Sequence, residues 1–183
     1  MGTVRRGTDG FVLAGGRSSR FGSDKFDHVV DGRTMGERAI EALSELDSVT
    51  MVGPRRGPVA GASWWCGRRE GEGPLGPLID VLERAGAGLA VVLACDYPWV
   101  ERPLVGRLVA ALTGDVDVAL ADDGRPHWLV GAWRAERAVG VLSAAWESGE
   151  RSIHRAASGL ARAVVAAEPS ELLNANRRTD VGA

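Results

Sequence analysis

A loop rich in glycine and basic residues, Gly15–Lys25, follows the first apolar run of this 183-residue chain. The run, Gly10–Ala14, predicts a buried strand, and the loop after it carries three glycines, two arginines, two adjacent serines and a lysine. Glycines let backbone N–H groups approach an oxygen-rich ligand closely, and the basic side chains supply positive charge. We therefore interpret the segment as a phosphate-binding loop for a nucleoside triphosphate; a surface turn with incidental charges is the alternative.

The spacing inside this loop differs from the two common phosphate-binding patterns. In a P-loop the lysine directly follows the second glycine, whereas Lys25 lies three residues beyond Gly22. A dinucleotide-binding turn has the pattern GxGxxG, and the adjacent Gly15 and Gly16 break that spacing. The loop therefore predicts a nucleotide site of another type.

A carboxylate, Asp96, lies two residues after the end of the predicted central strand, which ends at Ala94. Ligands of open α/β sheets bind outside the carboxyl ends of the strands, so we expect Asp96 and the glycine loop at one edge. Phosphates beside a carboxylate repel it unless a hard cation lies between them, and Mg²⁺ binds one or two carboxylates plus phosphate oxygens. Asp96 is therefore a predicted Mg²⁺ ligand; an aspartate that caps the turn before Pro98 is the alternative.

Short apolar runs alternate with helical patterns along nearly the whole chain. Thr34 and Glu37 have the spacing of a capping box at the start of the first helix. Repeated strand–helix units predict an α/β fold, a three-layer sandwich with a mostly parallel, Rossmann-like sheet. Residues 1–183 are expected to form one domain. Predicted strands are 10–14, 48–52, 62–65, 89–94, 116–121, 127–133 and 162–167; predicted helices after the first are 74–82, 104–112, 134–147 and 153–161.

Composition narrows the class of protein. A net charge of −2 disfavours nucleic-acid binding, which usually comes with a basic excess. No apolar run approaches the roughly 18 residues of a membrane span, and the first residues carry no apolar signal segment. Cys66 and Cys95 are far apart and lack CxxC spacing, which is typical of a reducing compartment without structural zinc. We expect a cytoplasmic protein that binds neither membrane nor nucleic acid.

Six segments together resemble the molybdenum cofactor guanylyltransferases, which attach GMP to molybdopterin. The glycine loop is shared by the wider nucleotidyltransferase superfamily, so the segment DGRPHWLVGAWR is the more specific of the six. The matching segments stand in the family's order and are LAGGRSSRFGSDK (13–25), GPLGPL (73–78), LACDYPWV (93–100), DGRPHWLVGAWR (123–134), SGERSI (148–153) and LLNANRRTDV (172–181).

The resemblance implies a Mg²⁺-dependent guanylyltransferase with GTP and molybdopterin as substrates. Proteins of cofactor synthesis or of molybdoenzyme delivery are implied as further partners. Arg20 and Arg151 are candidates to grip the acceptor phosphate, and a solvated or surface-paired arginine is the equal alternative. The residues that correspond to the family's nucleotide and metal contacts are Leu13, Ala14, Gly15 and Gly16 for the nucleotide, Lys25 for the phosphates and Asp96 for Mg²⁺.

Two positions depart from the family pattern for holding guanosine. Gly53 stands where the family often has Asn, and Cys66–Glu70 lacks an Asp that the family has shortly before its GPL segment. GTP is still expected over ATP and CTP, by a narrower margin, and Gly53→Asn is expected to widen it if the side chain suits the backbone. The alternatives are a cytidylyltransferase of the same fold, acting on molybdopterin or on a sugar or polyol phosphate, and a catalytically inactive nucleotide-binding partner.

The implied reaction needs no general base, because the attacking phosphate is already ionised near neutral pH. The three histidines, His28, His127 and His154, are therefore predicted to be structural or surface groups rather than catalytic ones.

Overall fold

A central sheet of seven strands organises the part of the chain that this computed structural model describes, residues 7–15, 25–54, 57–69 and 71–175. A separate two-stranded hairpin precedes the first helix. In chain order the strands are β1 (Thr8–Leu13), β2 (Val29–Val30), β3 (Arg33–Thr34), β4 (Ser48–Val52), β5 (Ser63–Trp65), β6 (Leu89–Ala94), β7 (Val118–Asp122), β8 (Pro126–Arg134) and β9 (Arg162–Ala166). The helices are α1 (Met35–Ala42), α2 (Leu75–Ala85), α3 (Arg102–Ala110), α4 (Ala135–Glu147) and α5 (Ile153–Ala156).

The strand order in the large sheet is β5-β4-β1-β6-β8-β7-β9. The neighbours β5, β4, β1 and β6 run parallel, and β9 runs parallel to β7. Strand β8 is antiparallel to both β6 and β7, so it is the reversed strand of the sheet in the described ranges. The predicted mostly parallel sheet is confirmed.

Helices cover both faces of this sheet. Alternation along β1 sends Val12 into the core beneath α1 and α3, and Phe11 and Leu13 into the core beneath α2, α4 and α5. Strand β6 alternates in the same way, because successive side chains of a strand point to opposite faces. The predicted three-layer α/β sandwich is confirmed, while a single domain over residues 1–183 stays a prediction.

The first helix begins where the capping box predicts. The Glu37 N–H donates to Thr34 Oγ1 at 3.1 Å, and the Thr34 N–H donates to Glu37 Oε2 at 2.8 Å. This exchange satisfies two backbone donors that a helix start would otherwise leave open, and it stabilises the helix by about 1 kcal/mol.

Among the described residues, no helix combines the length and apolar character needed to cross a membrane.

Two local features differ from the sequence-based prediction. Val29–Thr34 forms the β2–β3 hairpin, whose turn residues Asp31 and Gly32 have φ of 46° and 81°. An Asp-Gly pair favours this turn, so the sequence does carry a signal for the hairpin. Helix α5 was predicted as 153–161 but ends at Ala156, before Ser158 and Gly159, which are weak helix formers.

Candidate active site

The sheet changes its direction of growth between β1 and β6. From β1 the chain moves outward to β4 and β5, and α2 then returns it to β6 on the other side of β1. Leu13 pairs with Ala94 in register, and the Cys95 N–H donates to the Leu13 carbonyl at 3.2 Å. The carboxyl ends of these two strands therefore form a topological switch point, the usual ligand crevice of such sheets. The prediction that Asp96 and the glycine loop begin at one edge is confirmed.

Backbone hydrogen bonds hold the turn that contains Asp96. The Tyr97 N–H donates to the Ala94 carbonyl at 3.2 Å, and the Asp96 carbonyl accepts from the Ala175 N–H at 2.8 Å. The described part of the C-terminal segment thus docks on this turn. Asp96 itself is half-buried, so the turn is fixed by its main chain rather than by packing of the carboxylate in the core.

The glycine loop starts from residues whose backbone is already engaged in the sheet. The Ala14 N–H donates to the Val52 carbonyl at 2.9 Å, and the Leu13 carbonyl is taken by Cys95. Leu13 and Ala14 are 7% and 6% exposed, whereas Gly15 is exposed. The Ala14 N–H is therefore not available to a nucleotide in this arrangement.

The remaining loop residues fall only partly within the described chain. Gly16 and Arg20 lie outside the described residues, so their predicted contacts stay predictions. Lys25 begins a short 3-10 helix, Lys25–Asp27. The structure describes its backbone but not its side chain, so its contact with the phosphates stays a prediction. This turn leads through β2 and β3 into α1, and the α1 residue Gly36 packs directly on the Phe26 ring.

Gly53, the first residue after β4, packs its backbone against Gly15, the first residue of the glycine loop. Its φ is +142°, and a Cβ added there would lie 2.9 Å from the Gly15 nitrogen and 3.2 Å from the Gly15 Cα. The Gly53 N–H donates to the Trp65 carbonyl at 3.0 Å, which fixes this position. The prediction that Gly53→Asn widens the preference for GTP required the side chain to suit the backbone, and the structure shows that this condition is not met.

We expect Gly53→Asn to weaken GTP binding instead. The new Cβ must displace the backbone of Gly15, and a cost of 1–3 kcal/mol imposed on the GTP-bound state corresponds to a rise in Kd of roughly 5- to 160-fold. Isothermal titration with GTP measures this, and Gly57→Ala is the matched control because a Cβ at Gly57 meets nothing within 4 Å. An unchanged or tighter Kd in Gly53→Asn would show that the close approach has no bearing on the nucleotide.

The segment after β5, where the second departure from the family lies, is joined to α2 by hydrogen bonds and ion pairs. The side chain of Asp80 is fully buried, and its Oδ2 accepts from the N–H groups of Arg68 and Arg69 at 2.5 and 2.7 Å. The Arg69 guanidinium donates to Asp80 Oδ1 at 2.5 Å and to Glu83 Oε1 at 2.9 Å. A Cβ at Gly76 would lie 2.7 Å from the Arg69 carbonyl oxygen, so a glycine is needed at this position of GPLGPL.

Arg151 is paired within the structure. Its Nε donates to Glu72 at 2.7 Å, its Nη1 donates to the carbonyls of Trp146 and Glu150 at 2.9 Å, and its guanidinium lies 3.8 Å from the centroid of the Trp146 ring. These contacts join the segment before α2 to the turn after α4. They match the surface-paired alternative, and a role of Arg151 in acceptor binding stays a prediction.

A buried histidine stands near Asp96 on the same sheet edge. His127 is 6% exposed; its Nε2 lies 2.8 Å from Asp123 Oδ1, and its Nδ1 lies 3.2 Å from the Tyr97 hydroxyl. The hydrogen bond with His127 lowers the pKa of Asp123, and burial raises the pKa of Tyr97. His127 is buried rather than on the surface. Its link to Tyr97 was not predicted, because no short motif connects positions 30 residues apart.

The side chains at this edge fit a Mg²⁺ site whose remaining ligands come from the bound substrate and water. Within the described ranges, no group of three or more His, Cys, Asp or Glu side chains converges as a metal cage. Mg²⁺ does not need one, since it is commonly bound through one or two carboxylates plus substrate phosphates and water. Asp96 beside the glycine loop has this chemistry, and its role as ligand stays a prediction.

Comparison with known proteins agrees with this arrangement. The MobA-like NTP transferase domain family matches residues 10–171. A probable molybdenum cofactor guanylyltransferase from Mycobacterium marinum is 32% identical to this chain, covering 95% of it and 91% of the relative. The molybdopterin-guanine dinucleotide biosynthesis protein A of Archaeoglobus fulgidus has a similar structure, with a TM-score of 0.78, 21% identity and 94% of each chain covered.

A second solved structure shares the fold. The 2-C-methyl-D-erythritol 4-phosphate cytidylyltransferase from Thermus thermophilus has a TM-score of 0.71 at 19% identity, with 93% of this chain and 94% of that chain covered. At such identities the two structures establish the fold alone. The family match over residues 10–171, together with the Mycobacterium marinum relative, goes further. This chain belongs to the MobA-like NTP transferase family and is a nucleotidyltransferase of molybdenum cofactor biosynthesis.

Proposed function

We propose that this protein transfers GMP from GTP to the terminal phosphate of molybdopterin, forming the guanine dinucleotide cofactor and releasing pyrophosphate. The observation that carries the proposal is the position of Asp96 beside the start of the glycine loop, at the switch point of a MobA-like sheet. The choice of GTP and molybdopterin is supported by the name of the Mycobacterium marinum relative, a probable molybdenum cofactor guanylyltransferase.

The proposed reaction is an in-line displacement at the α-phosphorus of GTP. An oxygen of the molybdopterin phosphate forms a bond to the α-phosphorus, and the bond from that phosphorus to the bridging oxygen of the β-phosphate breaks. Pyrophosphate leaves with the electron pair. The attacking phosphate is already ionised, so catalysis consists of positioning and of charge neutralisation.

Each site residue has a defined task in this proposal. Lys25 neutralises charge that builds on the pyrophosphate, and Asp96 holds Mg²⁺, which when bound polarises the α-phosphate. Arg20 contacts the acceptor phosphate, and Arg151 takes part only if its guanidinium leaves Glu72. The turn that receives the nucleotide consists of Leu13, Ala14, Gly15 and Gly16.

Lys25→Ala tests the phosphate contact. Loss of a charge-assisted contact worth about 1.5 kcal/mol or more is expected to raise the Kd for GTP about tenfold and to slow transfer. Arg33→Ala is a suitable control, because Arg33 is an exposed basic residue of the neighbouring hairpin. If Lys25→Ala changes both affinity and rate by less than about twofold, as surface substitutions do, Lys25 does not hold the phosphates.

The choice of base is tested by parallel reactions of the purified protein with molybdopterin and GTP, CTP or ATP. Pyrophosphate release and the mass of the product are measured. We expect GTP to be preferred and the product to be the guanine dinucleotide. Equal or faster turnover with CTP would instead favour a cytidylyltransferase, and GTP binding without pyrophosphate release would favour an inactive nucleotide-binding partner.

A further inference from the structure

Three polar side chains form a line of hydrogen bonds across the sheet edge beside Asp96. Asp123 belongs to the β7–β8 turn, His127 to β8 and Tyr97 to the connection after β6. Asp123 Oδ1 lies 2.8 Å from His127 Nε2, and His127 Nδ1 lies 3.2 Å from the Tyr97 hydroxyl. The β7–β8 turn and β8 are thereby tied to the residue that follows Asp96.

The chemistry of the three groups gives this line one direction when the imidazole is neutral. A carboxylate only accepts, so His127 carries its proton on Nε2 and donates to Asp123. Nδ1 is then left as an acceptor for the Tyr97 hydroxyl.

Backbone hydrogen bonds hold the Asp96 turn as well. Ala175 donates its N–H to the Asp96 carbonyl at 2.8 Å, and the Tyr97 N–H donates to the Ala94 carbonyl at 3.2 Å. His127 is 6% exposed and packs edge-on against the Tyr97 ring, with centroids 5.5 Å apart and an interplanar angle of 89°. A histidine 31 residues away in the sequence therefore contacts the side chain of the residue next to Asp96.

We propose that His127 is a positioning residue for nucleotidyl transfer, which acts through Tyr97 to hold the Asp96 turn towards the bound triphosphate. This inference rests on the proposed function. Small misplacements of a reacting group cost up to about 100-fold in rate, so the loss of a single link in the line is expected to be visible in kcat.

Two substitutions at His127 separate its two hydrogen bonds. An asparagine places its polar atoms near the position of Nδ1 and keeps the contact with Tyr97, whereas a glutamine reaches the position of Nε2 and keeps the contact with Asp123. We expect His127→Gln and Tyr97→Phe each to lower kcat about tenfold with a smaller change in KM for GTP, and His127→Asn to retain more activity. His154→Gln, at an exposed histidine of α5, is the matched control.

A double-mutant cycle tests whether the two residues act as one unit. The double variant, His127→Gln with Tyr97→Phe, should be no slower than the worse of the two single variants, because both remove the same link. Multiplying effects on kcat, or variants that unfold at lower temperature while kcat is unchanged, would overturn the inference and leave His127 a purely structural residue.

Calorimetric binding of GTP with and without Mg²⁺ supplies a readout other than activity. We expect the factor by which Mg²⁺ tightens GTP binding to be smaller in His127→Gln than in the wild-type protein and in His154→Gln. An equal factor in all three proteins would contradict the inference. This measurement also separates the two proposals, since a wild-type protein that releases no pyrophosphate refutes the proposed function, whereas the Mg²⁺ factor still decides the role of His127.

Discussion

Asp96→Asn is expected to lower the rate of pyrophosphate release by at least about 100-fold, in line with the loss of a group that stabilises transition-state charge. The substitution removes the charge of the proposed metal ligand and keeps the shape of the side chain. The turn itself is held through the backbone by Ala94 and Ala175, so the fold should persist. Steady-state assays of pyrophosphate release, with circular dichroism of the same samples, measure both expectations.

A matched control for this variant is Asp115→Asn. Asp115 has a fully exposed side chain and precedes β7 at the opposite edge of the sheet. It loses the same charge with no expected effect on the rate. If folded Asp96→Asn releases pyrophosphate within about twofold of the wild-type rate, Asp96 is not the essential metal ligand.

Asp80→Ala is expected to lower the free energy of unfolding by about 3 kcal/mol. Removing one partner of a buried ion pair costs 3–5 kcal/mol, and the lower end applies here because Arg69 is 25% exposed and keeps Glu83. The variant also leaves the N–H groups of Arg68 and Arg69 without their acceptor, Asp80 Oδ2. Urea denaturation, followed by tryptophan fluorescence, measures the change.

An exposed ion pair, Glu45 with Arg102, provides the control for Asp80→Ala. Glu45 pairs with Arg102 at 3.3 Å, but its side chain is 74% exposed, so Glu45→Ala should change stability by no more than about 0.5 kcal/mol. If Asp80→Ala lowers the free energy of unfolding by less than 1 kcal/mol, the contacts of Asp80 with Arg68 and Arg69 contribute little to stability. In that case the β5–α2 connection is held by other contacts, such as the close packing of Gly76 on Arg69.

The architecture of this chain could be predicted because local signals and the fold agree. Continuous apolar runs mark β1 and β6 as strands buried on both faces, and the Thr34–Glu37 box marks the start of α1. The order of the strands was not predicted in detail, since the reversal at β8 depends on which neighbours it pairs with. The β2–β3 hairpin was missed although Asp31-Gly32 favours it, because each strand has only two residues.

The switch-point arrangement followed from the sequence for a topological reason. Any residue directly after a parallel strand lies at the carboxyl edge, so Asp96 and Gly15 had to meet there once β1 and β6 were neighbours. The contacts of Gly53 with Gly15, and of Tyr97 with His127, depend on distances between elements far apart in the sequence. Patterns within one element carry no information on such distances, so these parts of the site needed the structure.

A crystal structure of the protein with GTP and Mg²⁺ tests the location of the site most directly. We expect the triphosphate at the carboxyl edge, between the Leu13–Gly15 turn and Asp96, with a carboxylate oxygen of Asp96 about 2.0–2.1 Å from the metal. A groove of about 460 Å³ between α1 and α3, lined by Thr8 and Arg102, lies instead at the amino end of β1. GTP bound in that groove, or Mg²⁺ bound at the triphosphate without Asp96, would contradict the assignment.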